Sequence, residues 1–146
     1  MDGPIFRNFA TWLNYYGTSA NQNLNYTIVI NDIRKAIVKG TPCDKYDAGM
    51  LRKQQACIGT RGRPAEDARY VPPLSRPILE QGISVWGKWI NERNSLPTVI
   101  KMALAHYQFE ALHPFGDGNG RAGRLIAILQ LITDDALRLP ALNLPP

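Results

Sequence analysis

Apolar residues recur at helical spacing in four stretches of the chain, and this periodicity predicts four helices. In the first, NLNYTIVINDIRKAIVKG, the apolar positions Ile30, Ile33 and Ile37 lie three to four residues apart. The stretch ends at Gly40, a residue type that commonly follows the last helical turn. A β-branched run over residues 27–30 makes a strand the local alternative, but the later spacing and the charges between the apolar positions favour a helix.

The other three helices are predicted in the second half of the chain. One begins near Ser75 and Pro77. Its inward face is expected to consist of Leu79, Ile83, Trp86 and Ile90. The next begins near Ser95 and Pro97. Its inward face is expected to consist of Ile100, Ala103, Leu104 and Tyr107. The last helix is the strongly apolar stretch RLIAILQLITDDAL.

The region between the first two predicted helices is less regular. A short helical turn is expected over residues 50–55. Two short segments, 56–60 and 68–71, then flank a polar loop rich in Gly and Pro, which predicts a small β-hairpin. Pro72 and Pro73 end it. The pattern as a whole predicts an all-α fold with one small hairpin.

Composition narrows the class of protein without naming an activity. The chain has 146 residues, which suits one domain, and its 45% hydrophobic and 20% charged residues are typical of soluble globular proteins. No apolar run reaches the length of a membrane span, and the first residues lack the pattern of a signal peptide. Cys43 and Cys57 are expected to be free thiols in a reducing compartment, which favours a cytoplasmic location. The net charge of +5 favours an anionic partner: a nucleotide, a nucleic acid or an acidic protein.

The segment HPFGDGNGRAGR, residues 113–124, joins the last two predicted helices and carries most of the candidate chemistry. Asn119 and Gly120 fall at the N-terminus of the final helix, where unpaired N–H groups and the helix dipole suit a phosphate. Glycines at 116, 118 and 120 allow the backbone to form an anion-binding nest. Arg121 and Arg124, in the first helical turn, can donate to phosphate oxygens.

Two further residues of this segment indicate a reaction at a polyphosphate. Asp117 is placed to hold Mg²⁺ against phosphates. The ordinary pKa of a histidine side chain lies near neutral pH, so His113 can act as a general base that takes a proton from a hydroxyl. The segment lacks the Gly-Lys-Ser/Thr ending of a Walker P-loop. Because His113 can take a proton from a hydroxyl, we expect an external hydroxyl to be the nucleophile.

The segment resembles the signature of the Fic family, His-x-Phe-x-(Asp/Glu)-Gly-Asn-Gly-Arg-x-x-Arg. All eight fixed positions match: His113, Phe115, Asp117, Gly118, Asn119, Gly120, Arg121 and Arg124. The upstream stretch LPTVIKMALAHYQFEALHPF is similar to the family's helix before the signature, and LRKQQACIGT with ARYVPP is similar to its hairpin flap. The resemblance implies a Fic core over residues 24–146, shortened at its C-terminus, and an N-terminal segment over residues 1–23.

The resemblance implies an enzyme that transfers AMP from ATP to a Ser, Thr or Tyr hydroxyl of a target protein. In that scheme His113 is the general base, and Asp117 binds the Mg²⁺ that bridges the α- and β-phosphates. Gly118, Asn119 and Gly120 form the anion cradle. Arg121 and Arg124 hold the β- and γ-phosphates. Phe115 anchors the loop in the core. The flap around Ile58, Gly59 and Thr60 covers the nucleotide and pairs with an extended target segment.

One short pattern bears on regulation. Residues 18–23, TSANQN, have the spacing of the family's inhibitory helix, (Ser/Thr)-x-x-x-Glu-(Gly/Asn), with Gln22 in place of the glutamate. Such a short pattern also arises by chance. If the segment corresponds to that helix, neutral Gln22 is expected not to block the γ-phosphate site.

Other functions stay open at this stage. Related enzymes transfer UMP, GMP, phosphocholine or, as in Doc-like relatives, a phosphate, although the Asp-Gly-Asn-Gly sequence with both arginines favours AMP. A basic nucleic-acid-binding module is the alternative from another class. It is disfavoured because the chain lacks interleaved aromatic residues and a recognition helix. No membrane partner is expected. His106, in the middle of a predicted helix, is expected to be structural.

Overall fold

The computed structural model describes residues 26–41, 50–59, 65–74 and 76–137. Its four helices are α1 (Tyr26–Val38), α2 (Arg76–Asn91), α3 (Thr98–Leu112) and α4 (Asn119–Thr133), with a short 3-10 turn at Ala65–Asp67. The four helices predicted by periodicity are confirmed, and the fold is all-α. Within the described ranges, no helix combines the length and the apolar character needed to cross a bilayer.

The core forms where the four helices meet. Helix α3 packs against α2 and α4, and α1 packs against α2 and α4. The predicted inward face of α2 is confirmed, since Leu79, Ile83 and Trp86 are buried. Aromatic rings connect the layers: the ring centroids of Trp86 and Phe109 are 5.5 Å apart, and those of Phe109 and Phe115 are 6.3 Å apart. The Phe115 ring belongs to the loop between α3 and α4, which we call the signature loop. This ring anchors the loop in the core, as expected.

The predicted inward face of α3 is wrong. Ile100, Leu104 and Tyr107 are 50%, 47% and 72% exposed, and Ala103 is exposed as well. The buried side consists of Lys101, Ala105, Phe109 and Leu112. Apolar residues occur on nearly every side of this helix, so spacing alone does not select a face. Contacts with its neighbours select it, among them the hydrogen bond of 2.9 Å from Trp86 Nε1 to the Ala105 carbonyl.

The flap segments pair at one antiparallel bridge between Ile58 and Tyr70. The N–H of Ile58 donates to the Tyr70 carbonyl at 2.9 Å, and the N–H of Tyr70 donates back at 3.2 Å. Residues 60–64, which would close the hairpin, lie outside the described residues. The short helical turn expected over residues 50–55 is wrong. The N–H of Arg52 donates instead to the distant Pro114 carbonyl, at 2.9 Å, and residues 50–55 contain no helical turn.

Candidate active site

His113 lies at the C-terminal end of α3 in a left-handed backbone conformation, with φ 46° and ψ 59°. Its N–H donates to the Phe109 carbonyl at 3.0 Å, which completes the last helical turn. A residue with a Cβ seldom adopts this conformation, and glycine is the common choice where a helix ends this way. The surrounding structure must therefore hold His113 in place.

Arg52 and Tyr70, from the flap region, hold this turn by its carbonyls. The buried side chain of Arg52 and its main-chain N–H donate to the carbonyls of Leu112 (3.5 Å), His113 (2.7 Å), Pro114 (2.9 Å) and Pro73. The Tyr70 hydroxyl donates to the preceding carbonyl, that of Ala111, at 3.0 Å. Four consecutive carbonyls at the end of α3 thus accept hydrogen bonds from the flap region. This pairing satisfies groups that a helix C-terminus leaves without intrahelical donors.

The loop between α3 and α4 is closed by the side chain of Asn119. Its Oδ1 accepts from the Phe115 N–H at 2.9 Å, and its Nδ2 donates to the Phe115 carbonyl at 2.7 Å. The guanidinium of Arg34, buried in α1, lies 5.3 Å from the centre of the Phe115 ring and donates to the Asp117 carbonyl at 3.2 Å. The side chain of Asn119 therefore braces the loop, while its main-chain N–H lies at the start of α4.

The N-terminus of α4 is open. Gly118 caps it at φ 84°, and no side chain makes a capping hydrogen bond. Both signature arginines fold back toward the loop glycines. A Cβ at Gly120 would lie 3.5 Å from Nη1 of Arg124, and a Cβ at Gly118 would lie 3.7 Å from Nη2 of Arg121. Two guanidinium groups and the positive end of the helix dipole therefore meet at one place, which suits a polyphosphate.

Asp117 offers an accessible oxygen ligand beside these arginines. Its carboxylate accepts a hydrogen bond of 3.2 Å from Arg121, and the Asp117 side chain is 57% exposed. Mg²⁺ in phosphate-binding sites is commonly held by one or two carboxylates together with phosphate oxygens and water. The Asp117 carboxylate therefore fits Mg²⁺ as a ligand.

His113 is half-buried, and its Nδ1 is buried. Burial lowers the pKa of His113 below its ordinary value. Glu110 opposes this change through its carboxylate and its main-chain carbonyl, whereas the positive charge of Arg52 adds to it. The imidazole is therefore neutral at pH 7, which is the form that accepts a proton.

The structure brings the predicted signature residues together around one loop, with the base at the end of α3 and the arginines at the start of α4. Ile58 lies in the bridge of the flap, and Gly59 beside it is exposed. Thr60 and Gln22 lie outside the described residues.

Sequence reasoning missed two residues that hold the loop, Arg34 and Arg52. A signal for the first exists, because Arg34 lies on the apolar face of α1 between Ile33 and Ile37. No periodic pattern marks Arg52.

The family model described as the Fic/DOC family matches residues 24–131. The chain belongs to the Fic/DOC family. Among its curated relatives, "Protein adenylyltransferase fic-1" of Caenorhabditis elegans is 32% identical over 85 residues, which cover 57% of this chain and 15% of the relative. "Protein adenylyltransferase Fic" of Drosophila mojavensis is 36% identical over 85 residues, with the same two shares. "Protein adenylyltransferase Fic" of Drosophila grimshawi is 31% identical over 117 residues, which cover 78% of this chain and 22% of the relative.

This Fic/DOC chain therefore spans less than a quarter of the length of these relatives. The family match includes the whole loop between α3 and α4. Membership of the family and the geometry of the loop thus point to the same candidate site.

Proposed function

We propose that the chain is the catalytic domain of a protein adenylyltransferase, which transfers AMP from ATP to a Ser, Thr or Tyr hydroxyl of a target protein. The observation that carries this proposal is the loop itself. A neutral imidazole lies at one end of it, and an uncapped helix N-terminus with two arginines lies at the other. The names of these relatives, protein adenylyltransferases, support AMP as the transferred group.

The phosphates bind at the start of α4. The first N–H groups of the helix and the guanidinium groups of Arg121 and Arg124 hold the β- and γ-phosphates. These contacts orient the α-phosphorus toward His113 for in-line attack. Asp117 would hold Mg²⁺, which would supply charge neutralisation at the phosphates.

His113 then acts as the general base. A ring nitrogen takes the proton of the target hydroxyl, whose oxygen forms a bond to the α-phosphorus. The bond from the α-phosphorus to the bridging oxygen breaks, and pyrophosphate leaves. The protein's contribution is mostly positioning and charge stabilisation, as is usual for transfers at phosphorus.

The flap docks the target in this proposal. In an antiparallel pair the main-chain groups point alternately toward and away from the partner strand. Ile58 uses its N–H and carbonyl for Tyr70, so those of Gly59 point outward, where an extended target segment can add as a strand.

A proline at 59 tests this docking role because it removes the outward N–H. A Cβ at this position would lie 3.3 Å from the Ala68 Cα, so the alanine variant is the matched control for crowding. We expect Gly59→Pro to reduce target modification more than ATP binding, and Gly59→Ala to reduce neither by a comparable factor. Equal losses in the two variants would contradict docking by the flap.

The transfer reaction is tested by mass spectrometry. The protein is incubated with candidate targets, Mg²⁺ and ATP, and modified peptides are searched for an added AMP, with His113→Ala as the control. Parallel reactions with UTP, GTP and CDP-choline, and a search for added phosphate, cover the alternative groups. Stabilisation against heat by Mg²⁺-ATP but not by duplex DNA is expected, and the reverse result would favour a nucleic-acid-binding module.

A further inference from the structure

Arg34 is 2% exposed although it carries a positive charge, and its buried guanidinium contacts the signature loop. Its Nε donates to the Asp117 carbonyl at 3.2 Å, and its guanidinium carbon lies 5.3 Å from the centre of the Phe115 ring. Burying a charged side chain costs folding free energy unless its donors are paired. A guanidinium kept inside the fold and directed at the loop that carries the candidate chemistry therefore calls for a functional reason.

The carbonyl that Arg34 holds belongs to the peptide group between Asp117 and Gly118. In a trans peptide the C=O and the N–H lie in one plane and point in opposite directions, and this peptide is trans. Arg34 holds the carbonyl toward α1, so the N–H of Gly118 points away from α1. No acceptor among the residues that the structure describes pairs with this N–H, which leaves it available to a ligand at the start of α4.

Gly118 lies between α1 and an arginine of the signature. A Cβ at Gly118 would lie 3.5 Å from Cγ1 of Val38, a buried residue one turn after Arg34, and 3.7 Å from Nη2 of Arg121. Gly118 has φ 84°, a conformation that glycine adopts readily and that other residues seldom adopt. Because glycine restricts its own backbone so little, an outside contact has to fix this peptide group. The guanidinium of Arg34 supplies that contact.

We propose that Arg34 is a positioning residue for the phosphate site: by holding the Asp117 carbonyl toward α1, it points the N–H of Gly118 at the phosphates of a bound nucleotide. Arg34 itself is buried behind the loop and touches neither ATP nor the target protein in this scheme. The inference rests on the proposed binding of Mg²⁺-ATP at the start of α4. It gives α1, a helix that lies outside the signature, a part in that binding.

The HNCO spectrum of the full chain tests the orientation of this peptide group without a ligand, because one signal reports the Asp117 carbonyl carbon together with the Gly118 N–H. Arg34→Met keeps a long side chain beside the Phe115 ring and removes the donor. We expect the signal to move in this variant, with the carbonyl carbon at higher field, as happens when a carbonyl loses a hydrogen bond. Mg²⁺-ATP affinity, measured by calorimetric titration, should fall by about 3- to 10-fold, the usual worth of one hydrogen bond. An unchanged signal or an unchanged affinity would overturn the proposal.

Two control variants separate this role from a general loss of charge or of folding stability. Lys35→Met removes one positive charge from the exposed side of the same helix. Trp86→Phe removes a buried donor from a main-chain carbonyl outside the loop, that of Ala105, which accepts at 2.9 Å. Both controls should keep the 117–118 signal and the Mg²⁺-ATP affinity close to those of the parent protein. If either control lost as much affinity as Arg34→Met, the proposal would be overturned.

Arg34→Lys keeps the charge and one donor, and it serves the same comparison if the methionine variant does not fold. The lysine should either restore both the 117–118 signal and the Mg²⁺-ATP affinity or lose both. A change in one without the other would overturn the proposal, because the orientation of the peptide would then not govern binding. None of these measurements requires AMP transfer. A parent protein that binds Mg²⁺-ATP and transfers no AMP would therefore count against the proposed function alone.

Discussion

The two ends of the signature loop are built in opposite ways. At the end of α3, four consecutive carbonyls, those of residues 111–114, accept hydrogen bonds from Arg52 and Tyr70. At the start of α4, no side chain caps the helix. The guanidinium of Arg124 has no hydrogen bond or ion pair among the described residues, although it lies against Gly120. The carbonyls at the end of α3 are paired with the protein's own donors, whereas the start of α4 leaves the guanidinium of Arg124 available for a ligand.

This difference matches the task of each end. A base must be held in one geometry, and the left-handed conformation of His113 persists because its neighbours fix it. A phosphate site must present donors that the fold has not already used. The same loop therefore combines a rigid end, where changes should affect stability and chemistry, with an open end, where they should affect binding.

Removing the base should give the largest effect. His113→Ala is expected to lower the rate of AMP transfer by about 10²- to 10⁴-fold, the usual contribution of a general base. ATP affinity should stay within a few-fold, because the imidazole faces the nucleophile. Initial rates and equilibrium ATP binding measure the two quantities. A variant with nearly full activity would contradict the assignment of the base.

Removing the hydrogen bonds to the carbonyls at the end of α3 should lower the folding stability. Arg52→Met fills a similar volume but leaves several partly buried carbonyls without a donor, so we expect a loss of about 2–4 kcal/mol in the free energy of unfolding. Arg52→Lys should recover only part of it, since an ammonium cannot reach the carbonyls that the fork of Arg52 reaches together. Urea denaturation measures both.

Arg121→Met is the control at the open end. It removes an exposed arginine whose ion pair with Asp117 has an N···O distance of 3.2 Å, and such pairs contribute roughly 0–1 kcal/mol. If both methionine variants were equally stable, the contrast between the two ends would be lost.

Changing the open end should cost binding without a comparable loss of stability. Arg124→Ala removes a charge-assisted hydrogen bond to a phosphate, so ATP affinity should fall by roughly 10- to 100-fold. The free energy of unfolding should stay the same or rise slightly, because an arginine in the first helical turn is unfavourable for the helix dipole. Calorimetric titration with Mg²⁺-ATP measures the affinity, and urea denaturation measures the free energy of unfolding. A large loss of stability would mean that Arg124 serves the fold.

The smallest expected effect concerns pH. Burial lowers the pKa of His113 in the folded protein below its value in the unfolded chain, so the unfolded chain binds more protons in this range. The stability due to this group is present above the unfolded pKa and is lost as the pH falls through the folded pKa. His113→Gln should therefore show a weaker decrease in stability on acidification than the parent protein. Parallel pH profiles of the two proteins would contradict the lowered pKa.

The sequence by itself determined the helices and the chemistry of the loop. Helix α2 shows its buried face at a regular spacing, and the loop carries its base, acid, glycines and arginines within residues 113–124. Such features are local. A helix N-terminus that presents glycines and arginines has the same chemistry in any fold that exposes it.

Only the tertiary structure decided which face of α3 is buried and what holds His113. Apolar residues surround that helix, so its orientation follows from packing against Trp86 and Phe115, which belong to other segments. Arg52 reaches the His113 carbonyl across 61 positions of sequence, and Gly123 meets Glu110 from the neighbouring helix. These contacts join residues that are distant along the chain or lie on different helices, and no spacing along one helix encodes them.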